Sequence, residues 1–280
     1  GIEREKAVGK NGKTAVLLLV LMFFCGIFRT QLLRHARMRN LSENQKESSV
    51  FREMELSEEA LISLNELLEE GYEPGRLLSV LLPWENFRIP PESVWNRGVY
   101  LQAAGEFQTF RSLELSRFQK AMSAVWDDLE EFPLDFVPVY EDSWLFDRSF
   151  GGERQHEGCD LMPPGNQRDF YPVRSMTDGV VERIGWLPLG GWRIGVRGSR
   201  GGYFYYAHLS SYARDFQEGD LVSAGDLLGY MGDSGYGPQG TTEKFDVHLH
   251  VGSYIEEKNL EEISVNPYWP LRYLEETGKE

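Results

Sequence analysis

Residue types suited to metal binding and proton transfer are concentrated in the second half of this 280-residue chain. Four of its five histidines lie from His156 onward, and His248 and His250 are separated by a single residue in the segment FDVHLHVG. If this segment is a β-strand, Asp246, His248 and His250 share one face and the apolar residues share the other. Imidazole and carboxylate groups bind zinc, and imidazole also titrates near neutral pH. The alternation therefore predicts a reactive sheet face.

A second pair of such groups, His156 and Asp160, has the spacing H-x-x-x-D. On a straight strand the two side chains would be separated by about 13 Å, too far to share one ion at bond lengths of about 2 Å. Gly158 lies between them and permits a sharp bend, which would bring both groups to one metal. The alternative is a surface histidine and a surface acid that stand four residues apart by chance.

The candidate groups outnumber the ligands that a catalytic zinc requires. A hydrolytic zinc site takes three protein ligands and keeps one position open. Five groups are available, and a metal hydrolase also needs groups for proton transfer and oxyanion stabilisation. Residue types alone do not show which histidines bind the metal. The remaining histidine, His35, lies in an arginine-rich stretch and is predicted to be solvated.

The elements that must position these groups are predicted to be short β-strands. Between about residues 140 and 270, runs such as GVVERIGW, WRIGVRG and GYFYYAHL are punctuated by glycine and proline. Runs of this kind, spaced by about 8 to 12 residues, are typical of an all-β barrel or sandwich. The candidate groups thus fall within one β domain.

Residues 144–274 resemble the LytM-type (M23 family) zinc metallopeptidases. The matching pieces, in family order, are FGGERQHEGCDLM, YPVRSMTDGVVERIGW, YFYYAHLSSY, EGDLVSAGDLLGYMGDSG and KFDVHLHVG. The combination of H-x-x-x-D with H-x-H is diagnostic of that family. The resemblance implies a peptidase domain over residues 133–280.

The resemblance also implies a role for each candidate residue, and all the family positions are intact. The zinc ligands would be His156, Asp160 and His250. His208 and His248 would be catalytic, one as the general base toward the attacking water and the other as a stabiliser of the tetrahedral oxyanion. The implied function is a Zn²⁺-dependent metalloendopeptidase that hydrolyses stem or cross-bridge peptides of peptidoglycan. Two loops, 187–191 and 235–242, are expected to set the bond that is cut.

Another function remains open for this fold, namely a non-enzymatic, membrane-anchored scaffold or activator of other wall hydrolases. The intact ligand set argues against it. A serine-protease interpretation rests on the tetrapeptide at residues 232–235, GDSG, which also has a complete explanation as a turn. Cys159 is predicted to be a small buried residue. Asp246 is either an orienting partner of the histidines or a surface acid.

Residues 51–132 are predicted to form a small all-α domain. Ser57 has the signature of a helix N-cap, and Gly71 of a helix end. A second helix is expected over 77–82, ended by Pro83, and a third over 106–129 with one buried apolar face. A spacer role is the default expectation, and binding of a protein or of the cell wall is the alternative.

An apolar run at residues 15–28 contains no charged residue. A helix of 14 residues spans about 21 Å, short of the roughly 30 Å hydrocarbon core, although Lys13 and Arg29 could extend it by snorkelling. We expect a transmembrane anchor at about 14–30, within a unit of residues 1–50 that begins with a cytoplasmic tail and ends in a linker. A cleaved signal peptide is the alternative. A single-pass protein with an extracytoplasmic catalytic domain follows from the implied function.

The predicted fold class is thus α+β and multi-domain, with a membrane helix, a small all-α domain and a C-terminal all-β barrel or sandwich. The net charge of −15 makes nucleic-acid binding improbable. Cys25 and Cys159 are far apart in sequence, and no disulfide is expected between them. The expected partners are peptidoglycan peptides, the membrane and a protein bound by the helical domain.

Overall fold

The computed structural model describes residues 2–42, 48–89, 95–256 and 262–278. An apolar N-terminal helix is followed by a helical region and then by an antiparallel sheet, which confirms the predicted α+β class. The helices are α1 Ile2–Arg39, α2 Ser49–Arg52, α3 Glu58–Leu68, α4 Pro74–Trp84, α5 Arg97–Phe110, α6 Ser112–Trp126 and α7 Tyr268–Thr277. The strands are β1 Asp147–Arg148, β2 Arg154–Gln155, β3 Cys159–Leu161, β4 Pro172–Arg174, β5 Gly179–Leu187, β6 Gly191–Gly198, β7 Tyr203–Tyr212, β8 Leu221–Val222, β9 Leu227–Met231, β10 Leu249–Glu256 and β11 Glu262–Val265.

Helix α1 extends well beyond the apolar run that the sequence analysis identified. Its segment Thr14–Arg39 has 26 residues, a mean hydropathy of 2.2 over its most apolar window and no burial of that window. A helix of this length is about 39 Å long, so by length and composition it could cross a membrane. The predicted linker is therefore helical as far as Arg39, whereas residues 43–47 lie outside the described part of the chain.

The end of α1 packs onto the helical region. Met38 and Leu41 are buried in the apolar core of that region, at 6% and 1% exposure. The guanidinium of Arg37 lies 3.6 Å from the ring centroid of Trp84, within the range of a cation–π contact. The apolar helix is thus fixed to the helical region by its last turns.

Helix α3 begins at the predicted N-cap. The Ser57 hydroxyl accepts a hydrogen bond from the Ala60 amide at 3.1 Å and caps α3, and Gly71 has the positive φ of 87° that a helix end favours. Helix α4 begins earlier than predicted, at Pro74, and it contains Pro83 in its last turn. The prediction that Pro83 ends this helix was therefore wrong by one residue.

The predicted single helix over 106–129 was wrong. The chain leaves helical geometry at Arg111, which has φ −148° and ψ 39°, so α5 ends and α6 begins around it. Because the helix axis changes there, Phe110 and Leu113 do not share a buried face and are 52% and 61% exposed. Phe107 and Phe118, on either side of the break, are buried as predicted.

The sheet has the strand order β11-β10-β7-β6-β5-β8, with β3 paired to β10 and β9 paired to both β4 and β7. Its apolar face is filled by side chains such as Cys159, Tyr206 and Val251. Antiparallel pairing places Asp160 of β3 directly opposite His250 of β10. Paired residues point to the same face of a sheet, so this register puts both groups on the open face.

The helical region packs directly against the sheet. Ile255 of β10 and Val265 of the edge strand β11 are buried in the same apolar cluster as the helices. The carboxylate of Asp128 accepts hydrogen bonds from the Ser199 hydroxyl at 2.8 Å and from the Arg200 amide at 2.6 Å. The two parts of the chain therefore share buried contacts.

Candidate metal and catalytic site

Three side chains from two strands and the loop between β2 and β3 meet at one point. Nε2 of His156 lies 3.1 Å from Oδ1 of Asp160 and 3.1 Å from Nδ1 of His250. Nδ1 of His250 lies 2.9 Å from the same Asp160 oxygen. The pairing of β3 with β10 supplies two of the three groups, and the turn before β3 brings in the third. The H-x-x-x-D and H-x-H motifs are thus brought together in space.

The dimensions of this triangle fit a metal ion. Three ligands of a tetrahedral ion with bonds of about 2.0 to 2.1 Å are separated from one another by about 3.3 Å. The separations of 2.9 to 3.1 Å are close to that value. Two imidazoles and one carboxylate form a common donor set for zinc. These three residues could therefore hold a metal ion between them.

The surroundings of His156 allow metal binding through Nε2. Its Nδ1 lies 3.1 Å from the carbonyl oxygen of Ser143, which can only accept a hydrogen bond, and 3.0 Å from Nη2 of Arg148, which can only donate one. Without a metal the proton can lie on Nε2 and bond to Asp160, whereas a metal bound at Nε2 would require the proton on Nδ1, where the Ser143 carbonyl accepts it. A carbonyl behind the distal nitrogen is the usual way in which proteins orient a ligating histidine.

Asp160 is held in its charged form. Burial alone would raise the pKa of its carboxyl, but hydrogen bonds from His156 and His250 hold that pKa well below its usual range. Its second oxygen, Oδ2, accepts a hydrogen bond from Arg148 at 3.0 Å. The carboxylate thus directs Oδ1 toward the histidines and Oδ2 toward the arginine.

His208 lies beside this triangle in an unusual backbone conformation. Its φ is +62°, at a register shift between β6 and β7. Its Nδ1 donates a hydrogen bond to the carbonyl of Ser234 at 2.8 Å, which leaves Nε2 as an acceptor. Burial, and then the charges of His248 and His250, lower the pKa of His208 well below its ordinary value. The ring is therefore neutral at neutral pH.

His248 is oriented in the same way. Its Nδ1 lies 2.8 Å from the carbonyl oxygen of Asp246, and its Nε2 lies 3.7 Å from Oδ1 of Asp160. The ring centroids of His208 and His248 are 4.8 Å apart. The five predicted site residues thus form one cluster, in which three converge on a point and two stand beside it with Nε2 free.

Comparisons with known proteins identify the family of the chain. Residues 154–263 match the model of peptidase family M23. A crystal structure of a candidate glycyl-glycine endopeptidase, LytM of Ruminococcus gnavus, is 42% identical in sequence and superposes with a TM-score of 0.75. The superposition covers 86% of this chain and 96% of that one. This chain belongs to peptidase family M23.

Two curated relatives match over shorter stretches. An L-Ala–D-Glu endopeptidase of Bacillus subtilis is 42% identical over 166 residues, which are 58% of this chain and 49% of the relative. The glycyl-glycine endopeptidase ALE-1 of Staphylococcus capitis is 37% identical over 75 residues, 24% of this chain and 20% of the relative. The chain spans half or less of the length of these curated relatives.

Gly158 lies against the ligand cluster of this M23 site. A Cβ added there would stand 2.5 Å from both Cε1 and Nε2 of the His250 ring. The backbone of Gly158 is not in the left-handed region, so a side chain is excluded by the nearness of the ring. The sequence analysis attributed the glycine to a bend, whereas the structure gives close approach of His250 as the reason.

The segment FDVHLHVG departs from the predicted alternation at its start. Strand β10 begins only at Leu249, so Asp246 lies outside it. The Asp246 carboxylate accepts a hydrogen bond from Asn166 at 2.9 Å, while its backbone carbonyl orients His248. The orienting group is thus the carbonyl of Asp246 and not its carboxylate.

Phe245, expected on the apolar face, lies in the site. Its ring centroid is 4.6 Å from that of His208 and 5.0 Å from that of His248. A strand beginning at residue 245 would have pointed the ring into the sheet core. Because the strand starts four residues later, the ring packs against the two imidazoles.

Ser234 is a site residue that the sequence analysis missed. It is 1% exposed; its hydroxyl accepts from the Trp192 amide at 3.0 Å and donates to the Leu209 carbonyl at 2.7 Å. A buried hydroxyl with both partners is not placed as a nucleophile, which agrees with the turn interpretation of GDSG. Its carbonyl holds His208.

Cys159 is buried at 0% exposure, as predicted, and points away from the site.

The cluster lies in an open cleft of about 880 Å³ whose lining residues all fall between Arg148 and Tyr254. The predicted loops contribute Leu187, Leu189 and Tyr236. Among the described residues, those of the helical region do not line the cleft. In this structure the ligand cluster is therefore open to a substrate.

Proposed function

We propose that this chain is a zinc-dependent metalloendopeptidase that hydrolyses peptide bonds in the peptides of peptidoglycan. One observation carries the proposal. The donor atoms of His156, Asp160 and His250 converge within 3.1 Å of one another, and two further imidazoles stand beside them in an open cleft. Membership of family M23 and the names of the relatives support the reaction class.

The zinc ligands would be Nε2 of His156, Oδ1 of Asp160 and Nδ1 of His250. Zinc bound there would act as a Lewis acid on the scissile carbonyl and would lower the pKa of water. Arg148 holds the second oxygen of Asp160, so that Oδ1 stays directed at the metal position. The carboxylate is ionised without an outside base, because its pKa is held low by its neighbours.

His208 and His248 would carry out proton transfer and oxyanion stabilisation. Each donates its Nδ1 proton to a backbone carbonyl, so each presents Nε2 to the cleft. A neutral imidazole with Nε2 free accepts the proton of the attacking water, and after protonation the same nitrogen donates to the leaving amine. The second ring, when protonated at Nε2, donates a hydrogen bond to the developing oxyanion.

The peptide bond that is cut lies in the stem or in the cross-bridge of peptidoglycan. The Bacillus subtilis relative is named for an L-Ala–D-Glu bond, whereas the Staphylococcus capitis relative is named for a glycyl-glycine bond. The former bond is accompanied by a carboxylate and the latter is uncharged on both sides. The groups that line the cleft beyond the ligand cluster must distinguish the two.

We also propose that residues 1–50 anchor the chain in the membrane, with the peptidase domain of residues 133–280 outside the cytoplasm. Residues 51–132 would act as a rigid spacer between the anchor and the peptidase domain. The burial of Leu41 and the stacking of Arg37 on Trp84 support this, because they fix the apolar helix to the helical region. The buried contacts of Asp128 extend the same rigidity to the sheet.

The proposal is tested by digestion of purified peptidoglycan with the zinc-loaded chain, followed by mass spectrometry of the released fragments. We expect new peptide ends at one position of the stem or cross-bridge, abolished by EDTA and restored by added zinc. A non-enzymatic scaffold would release no peptide ends and would not require metal. Failure of the zinc-loaded protein to cut any wall preparation would contradict the enzyme proposal.

A further inference from the structure

The cleft beside the ligand cluster is lined by more arginines than carboxylates. Arg148, Arg154, Arg183 and Arg193 line it, together with Asp160 and Glu157. The Arg148–Asp160 ion pair accounts for one charge of each sign, which leaves three arginines and one exposed glutamate. The chain as a whole has a net charge of −15, so this cationic surface is local. Zinc in the site would add further positive charge.

Arg193 is the member of this group that lacks a partner. Its side chain is half-buried, and its Nη1 is buried without a hydrogen-bond partner among the described residues. The described part of the chain also places no carboxylate within ion-pair distance of it. A buried guanidinium nitrogen without an acceptor is costly, so a protein that keeps one in a cleft gains when a ligand supplies the acceptor.

Arg154 and Arg183 are only partly engaged. Arg154 donates to the backbone carbonyl of Phe150 and to the hydroxyl of Tyr236, both neutral groups. Arg183 has one distant ion pair, 3.7 Å from Glu218, in which both side chains are more than half exposed. Such an exposed pair contributes little to stability, so another anion can readily replace Glu218 as the partner of Arg183.

The sheet register places Arg193 at a defined distance from the ligands. Arg193 of β6 lies opposite Gly185, and Arg183 of β5 lies opposite Gly195, so both arginines belong to neighbouring positions on one face. Strand β7 separates β6 from β10, which carries His250. Two inter-strand spacings amount to about 10 Å, or about three residues of an extended peptide.

The cleft is continuous between the arginines and the metal ligands, because Arg183, Arg193, Tyr203, Tyr205 and His250 all line it. The ring of Tyr203 covers Gly195, and Gly195 pairs with Tyr205, whose ring lies 5.9 Å from that of His250. A peptide carbonyl at the ligand cluster could therefore extend over the two tyrosine rings toward Arg193. The guanidinium would meet a group within about three residues of the scissile bond.

We propose that Arg193, assisted by Arg183, binds a free carboxylate of the substrate within about three residues of the bond that is cut. The site would then prefer acidic stem peptides over amidated stems and over oligoglycine. The planar guanidinium matches a carboxylate in a bidentate geometry that neutral amides do not reproduce. This selectivity rests on the proposed peptidase function and adds its substrate class.

The test uses two synthetic stem peptides that differ only in one group, a free carboxylate or its carboxamide next to the scissile bond. The zinc-loaded full chain should cleave the acidic peptide with a kcat/KM about 10- to 100-fold higher, the range that one charge-assisted hydrogen-bonded pair supplies. The R193Q variant should lower this ratio to below about threefold, through a higher KM for the acidic peptide. The R193K variant should retain part of the preference, and R183Q should lower it less.

Arg214 supplies the matched control. It is exposed, pairs with Asp220 at 2.9 Å and lies outside the cleft, so R214Q should leave the ratio unchanged. Calorimetric binding of both peptides to the metal-free chain gives a second readout that needs no turnover. The acidic peptide should bind more tightly to the wild type, and equally tightly to R193Q.

Equal treatment of the two peptides by the wild type, in binding and in cleavage, would overturn the inference while leaving the peptidase proposal intact. Retention of the full preference by a folded R193Q variant would also overturn it. If neither peptide is cleaved but the acidic one binds more tightly through Arg193, the inference stands and the peptidase proposal fails.

Discussion

Replacement of Gly158 by alanine should damage the metal site through a single methyl group. The added Cβ would lie 2.5 Å from Cε1 and Nε2 of His250 and 2.5 Å from the carbonyl oxygen of Val251. Carbon atoms in proteins pack at about 3.5 to 4.0 Å, so the ring must retreat by roughly 1 Å. The φ of Gly158 lies outside the left-handed region, so the damage arises from these contacts.

The size of the effect follows from the tolerance of metal coordination. Nδ1 of His250 lies 2.9 Å from Oδ1 of Asp160, and coordination distances vary by only about 0.2 Å. A displacement of about 1 Å removes the nitrogen from its position. We expect the zinc dissociation constant to rise by at least about 10- to 100-fold, with a parallel loss of turnover. Overpacking should also lower the free energy of unfolding by about 1 to 3 kcal/mol.

The assay is competition for zinc between the purified full chain and a chromophoric chelator, with thermal unfolding as a check of folding. Gly105→Ala is a matched control, because a Cβ at that helical position meets nothing within 4 Å. It should leave zinc affinity unchanged and raise the stability by about 0.5 to 1 kcal/mol. A folded Gly158→Ala protein with wild-type zinc affinity would refute the assignment of His250 as a ligand.

Three further outcomes are expected. The metal-free protein should lose stability as the pH falls from 7 to 5, because the pKa of His208 is lowered in the folded state and the unfolded chain binds the proton first, from about pH 6.5 downward. His208→Gln should flatten this pH dependence of thermal unfolding, and an unchanged slope would contradict the argument that burial lowers the His208 pKa. Ser234→Ala should keep wall hydrolysis within about tenfold and cost about 1 to 2 kcal/mol of stability, whereas complete loss of activity with zinc still bound would favour a serine nucleophile. In detergent-solubilised protein, Leu41→Ala should lower the free energy of unfolding by about 2 to 5 kcal/mol, whereas Leu32→Ala should be near neutral because the Leu32 side chain is 54% exposed. Equal effects of the two substitutions would argue against docking of α1 onto the helical region.

The composition of the site was predictable from the sequence because its chemistry depends on rare residue types at fixed spacings. Histidine occurs five times in the chain, and four of these residues form the cluster together with Asp160. The spacing H-x-H requires extended backbone to place both rings on one side; His250 lies in β10, and His248 lies just before it in a single bridge to Gly232. The separate roles of His248 and His250 came from the family resemblance, because the alternation treats the two positions as equivalent.

The parts of the site that sequence reasoning missed depend on contacts between distant segments. Ser234 acts through its backbone carbonyl, which carries no signal in the residue type. Phe245 reaches the imidazoles because β10 begins at Leu249, a boundary set by pairing with β3. Arg193 is distinctive only because its Nη1 lacks a hydrogen-bond acceptor among the described residues. This can be seen only when all the neighbours of the side chain are known.

The fold of the helical region shows a similar division. The N-cap of α3 at Ser57 could be predicted because the serine hydroxyl accepts a hydrogen bond from an amide in the first turn of its own helix, next to two acidic residues. The break at Arg111 was not, because apolar residues recur at helical spacing on both sides of it. Only packing of the two helices against α4 separates the stretch into α5 and α6.

Zinc content measured together with turnover, on the purified full chain and its histidine variants, tests the assignment of ligands and catalytic groups most directly. The wild type should hold one zinc per chain, His250→Ala should lose the metal, and His248→Ala should keep most of it while losing hydrolysis. Equal loss of zinc from His248→Ala and His250→Ala would make H-x-H a two-ligand clamp and would contradict the proposed division between metal binding and catalysis.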